Sequence, residues 1–267
     1  MTGLTLRLEL RRSRMVVLWF SVIVLVYGGI VAAMYPIMVE NAQAFEDYMA
    51  IFPEEFLAAF GMTGSLADPG VFFATYIGSM LWPIVAAIAA IIVATRPVAA
   101  DVERGWSEVV LGTRLTRTAG LLAAILGQAL VLAVLAVATI AGILGIGALV
   151  GAGFDPVPFV AAAGIMWLFG CAVAGVTSLL GAVTLSRAMA GGIAAGVLIM
   201  MYLVNVVAQV QPDLAWLADF GAFKYLAVTE LVDEGIVPWA SILVFGVVAV
   251  AAWVASIVVF RRRDLIT

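Results

Sequence analysis

Six stretches of this chain contain no charged residue and run longer than the roughly 18 residues that mark a membrane-crossing helix. They are Met15–Val39, Pro69–Thr95, Thr118–Phe154, Pro156–Ser186, Ala188–Pro212 and Gly235–Phe260. Their flanks alternate: each window begins beside a basic residue and ends beside an acidic one, or the reverse, as six antiparallel crossings require. Only 11% of the chain is charged, against about 25% in a soluble domain. The pattern predicts an all-α polytopic membrane protein. Its crossings fall near 15–38, 70–95, 118–147, 157–185, 188–210 and 237–260, within a single transmembrane domain spanning 1–267.

The charges orient the bundle. Arg7, Arg11, Arg12, Arg14, Arg96, Arg104, Arg114, Arg117, Arg187, Arg261, Arg262 and Arg263 fall on one side, and Lys224 alone falls on the other. Twelve arginines against five acids leave +7 on that side; one lysine against twelve acids leaves −11 opposite. Basic loops stay in the cytoplasm. Both termini and the loop 96–117 are therefore expected inside, with 39–69 and 211–236 outside. The first window is too long for the apolar core of a signal peptide and lacks a small-residue cleavage site, so it reads as an uncleaved span.

Within this frame several segments carry their own signals. "MTGLTLRLELRRSR" alternates Leu4, Leu6, Leu8 and Leu10 in a strand-like way. A basic apolar segment leading into a span is nevertheless expected to lie at the interface as a helix. Phe45, Met49, Phe52, Phe56 and Phe60 recur at helical steps, and Pro53 breaks the run, so two short helices are expected on the outer face. The end of the third window, "GILGIGALVGAGF", is glycine-rich and is expected to be irregular or bent. Gly192 and Gly196, four apart, let another helix approach the fifth span. Residues 211–238 read as short interfacial helices.

Much chemistry is absent from the composition. The chain has no histidine, and Cys171 is its only cysteine. No metal site and no cofactor is expected in this chain, and no enzyme activity. A P-loop needs Lys after Gly, and the only lysine sits in "AFKYL". The spans carry no ionisable group of the kind that proton- and ion-coupled carriers use as relays. Energy for uphill movement must then come from a partner. Nucleic acid is not an expected partner.

The one long internal loop is "VAADVERGWSEVVLGTRLTRTAG". On a helix, Val98, Val102, Trp106, Val109 and Val110 share a face, with Asp101, Arg104 and Glu108 opposite. Such a helix either floats at the membrane surface or docks on a cytoplasmic protein.

This loop resembles the signature region of permeases of the second-class ATP-binding-cassette exporter superfamily. Their pattern is acid–x–Gly–Thr–x–Glu–x–x–Leu followed by Pro-x-x-Arg. Glu103, Gly105, Glu108, Leu111 and Arg117 stand at matching positions, while Trp106 replaces the Thr, Arg114 the Pro, and Ala124 a basic residue common on the third span. The ending "FRRRDL" and the outer "FGMTGSLADPGVFF" are similar to the same family. The resemblance implies a six-helix permease working as a dimer with a second copy, identical or related. A cytoplasmic ATPase that holds ATP and Mg docks on each half. It implies that Asp101–Leu111 is a coupling helix. Trp106 would be its buried anchor, and Glu103, Arg104 and Glu108 the polar rim. It further implies a pathway between copies along spans two and five, through Tyr76, Ser79, Met80, Met200, Met201, Asn205 and Gln209. Asn205 reads equally as a residue joining helices within the bundle. The expected function is outward transport of a drug, lipid, peptide antibiotic or glycan across a bacterial-type plasma membrane. Two other readings stay open: a non-transporting scaffold or sensor using the same loop, and an ion-coupled carrier, which the uncharged spans disfavour.

Overall fold

A computed structural model describes residues 2–53, 56–57, 62, 65–97, 117–153 and 155–262, with the side chains of 2–5, 117 and 212 excepted. Among them there is no strand, and six helices are long and apolar enough to cross a membrane. The protein is an all-α polytopic membrane protein.

Helix α1 (Thr2–Glu40) is followed by the short α2 (Ala42–Met49). Span two starts as α3 (Pro69–Phe73), widens into a π-helix (Ala74–Leu81) and ends as α4 (Trp82–Ala94). Next come α5 (Arg117–Leu149), α6 (Pro156–Thr184) and α7 (Arg187–Val210). Two 3₁₀ segments, Pro212–Phe220 and Phe223–Tyr225, lead to the short α8 (Val228–Glu234) and to α9 (Trp239–Arg262).

Local chemistry explains the boundaries. Spans two and four both begin at an Asp-Pro pair. The Asp68 carboxylate accepts from Val71 N–H at 2.9 Å, and the Asp155 carboxylate accepts from Val157 N–H at 2.9 Å. Each proline occupies the first turn, where a missing N–H costs nothing. The turn between α6 and α7 passes through Leu185 in the left-handed region, φ 51°. Thr184 Oγ1 braces it by donating to the Leu180 carbonyl and accepting from Ser186 N–H.

Two expectations are modified. Residues 2–14 are helical but continuous with span one, because nothing between Gly3 and Gly28 breaks a helix. At 39 residues and about 1.5 Å per residue, α1 is far longer than one crossing needs. The glycine-rich end of the third window also stays helical, as far as Leu149, and turns only at Gly151, φ 70°. One of its glycines, Gly142, serves packing, and Gly28 does the same from α1. A methyl on Gly142 would come within 3.2 Å of Leu25, and one on Gly28 within 2.9 Å of Ile146. The parallel helices α1 and α5 approach each other through these gaps.

Helix α6 is the hub, packed against α4, α5, α7 and α9. Lipid tails are as apolar as the core, so packing and interhelical hydrogen bonds hold such a bundle together. Three indoles supply them. Trp82 Nε1 donates to the Met166 carbonyl (3.1 Å), Trp167 Nε1 to the Ala129 carbonyl (2.9 Å) and Trp253 Nε1 to Gln128 Oε1 (3.1 Å). Ser178 Oγ also donates to Gln128 Oε1, so one buried amide ties α5, α6 and α9.

The helix ends sort by charge. Arg96 donates to the Arg12 carbonyl, joining the start of α1 to the region after α4. Leu121, Ala182 and Phe260 form a small core joining the start of α5 to the ends of α6 and α9. Arg12, Arg96, Arg187 and Arg261 thus share one end of the bundle, and Asp68 and Asp155 begin spans from the other.

Candidate functional site

The π-helix sets the site. Pro83 has no N–H and its ring crowds the carbonyl four residues back, that of Ser79. Immediately before it the chain takes the wider register, with Trp82 N–H bonded to the Ile77 carbonyl five residues away. Segments of this kind are rare and concentrate at functional positions.

The widened turn receives α8. A Cβ on Gly78 would lie 2.6 Å from Val228 Cγ1, and Ser79 Oγ and Thr229 Oγ1 are hydrogen-bonded at 2.8 Å. Val228, Thr229 and Leu231 are buried. The second outer segment therefore does not lie wholly on a surface, as the interfacial reading of 211–238 had it. Its last helix is inserted against span two, because Gly78 leaves room for a β-branched side chain. Gly78→Ala is expected to destabilise the fold by about 1–3 kcal/mol through overpacking, since Val228 has little rotamer freedom with which to yield. Val228→Ala should recover most of that loss. A double-mutant cycle on unfolding in mixed micelles measures it; simple additivity of the two changes would refute the contact.

Beside this junction lies a cavity of about 1200 Å³ between span two and α7, roofed by residues of 215–230. Ser79, Met80, Asn205 and Gln209 line it. The other three expected pathway residues do not. Tyr76 turns to Phe72, ring centroids 4.8 Å apart. Met200 is 61% exposed on another face of α7. Met201 is partly exposed and also lies off the lining. Pro83, Ile84, Ala87, Ile88 and Ile91 extend the wall on span two, and Ala195, Leu198, Ile199 and Tyr202 extend it on α7. Both stripes follow the helical repeat from Met80 and from Asn205, so the repeat extends the wall once the structure has placed those two residues on it. Nothing in the sequence announced Phe223, Lys224, Leu226 or Thr229, which reach the cavity from the outer segment.

The cavity is apolar toward the arginine end, and its polar groups gather near α8. Asn205 is 4% exposed, and its Oδ1 has no hydrogen-bond partner among the described residues. Lys224 Nζ is bonded to the Asp219 carboxylate. That hydrogen bond raises the lysine pKa, so the ammonium stays charged at physiological pH. Ile84, Ile88 and Ile199 line the cavity and are still exposed, so within one chain it is open to the side. Gly192 and Gly196 face open space in the single chain; it is Gly191 that meets Ile91.

The expected docking residues Asp101, Glu103, Arg104, Gly105, Trp106, Glu108 and Leu111 lie outside the described residues. Arg117 opens α5, its side chain undescribed. Among the described residues no group of His, Cys, Asp or Glu is arranged to hold a metal ion.

No curated protein matches the chain. The sequence model of a family described as "ABC-2 family transporter protein" matches residues 8–265, taking in all six spans, the cavity walls and the loop between spans two and three. The chain belongs to the ABC-2 transporter family and is a multi-pass ABC transporter permease, a class whose members work with a cytoplasmic ATP-binding-cassette ATPase.

Proposed function

We propose that this permease exports a hydrophobic or amphipathic substrate across the plasma membrane, between two copies of the chain or of related chains. In this reading the arginine end is cytoplasmic, and separate ATPase subunits holding ATP and Mg dock on the loop 96–117. The permease does no chemistry itself; closure of the ATPase pair pulls the loop, and spans two and five move as levers.

The observation that carries the reading is the cavity of about 1200 Å³ between spans two and five. Its size suits a drug-sized or larger ligand. Its walls are mainly aliphatic, with polar groups at one end, as a binding site for an amphiphile needs. Its open side, marked by exposed Ile84, Ile88 and Ile199, and the uncovered Gly192 and Gly196 on α7, suit closure by a second chain. The charge sorting of the helix ends supports the orientation.

The test is photo-crosslinking. A hydrophobic photoreactive cargo, added to the permease reconstituted with its ATPase, is expected to label α4 and α7, and ATP hydrolysis should rise with cargo. Labelling confined to other spans, with hydrolysis indifferent to cargo, would overturn the reading.

A further inference from the structure

The polar end of the cavity is unbalanced in a way that selects a headgroup. Two formal charges line it, Lys224 and Glu230. Lys224 is bonded to Asp219 and so is compensated. Glu230 is exposed and carries no ion pair among the described residues. The hydroxyls of Ser79 and Thr229 satisfy each other. Asn205 keeps a buried acceptor oxygen without a donor. An unpaired buried acceptor beside hydrocarbon is costly, and polar groups at such depth are retained for function or for contacts between helices.

We propose, resting on the export reading above, that the cavity takes amphiphiles whose head is a primary ammonium. The alkyl part lies along Ile84, Ile88 and Ile91; the head is held by the Glu230 carboxylate and, once the Asn205 amide turns its enclosed Oδ1 toward the cavity, by that oxygen. A primary ammonium brings three N–H donors and one positive charge, which meets both deficits at once. A trimethylammonium head brings the charge without donors. A sulfate head brings acceptors and a negative charge, and it meets an uncompensated carboxylate and an acceptor oxygen that is already short of donors.

The experiment uses three probes with the same twelve-carbon tail bearing a diazirine, headed by a primary ammonium, a trimethylammonium or a sulfate. Each is photolysed with the full-length permease and its ATPase in lipid nanodiscs. Labelling of α4 and α7 peptides is read by mass spectrometry and normalised to the exposed apolar face of α1, Val22 to Ile30, which reports insertion from the bilayer. The ammonium probe is expected to label the cavity walls at least tenfold more than the sulfate probe and several-fold more than the trimethylammonium probe. Glu230→Gln should erase most of the cation preference. Asn205→Leu should erase the primary-over-quaternary preference and leave the thermal midpoint unchanged or raised, because it removes a buried unpaired polar atom. Equal labelling of α4 and α7 by all three heads would overturn the headgroup assignment and leave the pathway standing. Loss of stability in Asn205→Leu with head preference intact would make Asn205 a packing residue and also overturn the assignment. No labelling above the α1 level by any head would bring down the pathway reading itself.

Discussion

Trp82→Ala is expected to destabilise the bundle by roughly 3 kcal/mol or more. Trp82 is fully buried, and its indole N–H donates to the Met166 carbonyl on α6 at 3.1 Å. In a bilayer the transfer term is small, because lipid is as apolar as the core. What is lost is dispersion contact and filled volume. A void on the order of 130 Å³ at roughly 24 cal/mol per Å³ gives about 3 kcal/mol, and the lost hydrogen bond adds about 1 kcal/mol. The site also follows immediately on the π-helix, so a collapse there disturbs Ser79 and Gly78 as well. Trp82→Phe keeps most of the volume and should cost only about 1–2 kcal/mol. Unfolding in mixed micelles measures both. Equal losses for Ala and Phe would assign the effect to the hydrogen bond alone and contradict the packing account.

The largest functional effect is expected from Trp106→Ala. On the proposed coupling helix Trp106 is the one large aromatic residue among Val98, Val102, Val109 and Val110. Buried aromatic anchors carry most of the energy of an interface, about 2 kcal/mol or more on truncation. That corresponds to at least a 30-fold weaker dock. Folding and insertion should be intact, while co-purification of the ATPase and cargo-stimulated hydrolysis fall together. Neutralising a rim residue, as in Glu103→Gln, should have a smaller and salt-dependent effect. Transport and co-purification at wild-type level in Trp106→Ala would remove this residue from the coupling path. The side of the membrane is checked separately. Cys171 is buried, so Ser107→Cys offers the only accessible thiol among the described residues and the engineered position. It should react with an impermeant maleimide only in inside-out vesicles.

How much of this is legible in the sequence follows from the physics of each signal. A membrane span has to satisfy its own backbone and stay apolar for about 20 residues, so a gap between charges reveals it without any tertiary information. Alternating flanking charge likewise reports which ends lie together. Local breakers were less legible. "GILGIGALVGAGF" reads as irregular or bent by propensity, yet it is helix to Leu149, because glycine weakens a helix only modestly and the close approach of α1 compensates. Pro83 was visible in the sequence, but the eight-residue π-helix ahead of it was not. A proline within a span can be met by a kink, a bulge or a change of register, and the neighbouring helices select among these.

The sequence by itself determined the class, the number of crossings, the sorting of charge between the two ends, and the family through the loop and terminal motifs. These depend on properties that each segment carries alone. Only the tertiary structure decided which faces of spans two and five form the cavity. It admitted Ser79, Met80, Asn205 and Gln209 and turned Tyr76 and Met200 away. It also placed α8 against Gly78 and left the Asn205 carbonyl without a donor. The physical reason is that in a uniformly apolar chain every face of a span is compatible with lipid, so hydrophobic patterning has no outside and inside to distinguish. Close packing and the few polar atoms that need partners choose the face instead, and both depend on residues far apart in the chain.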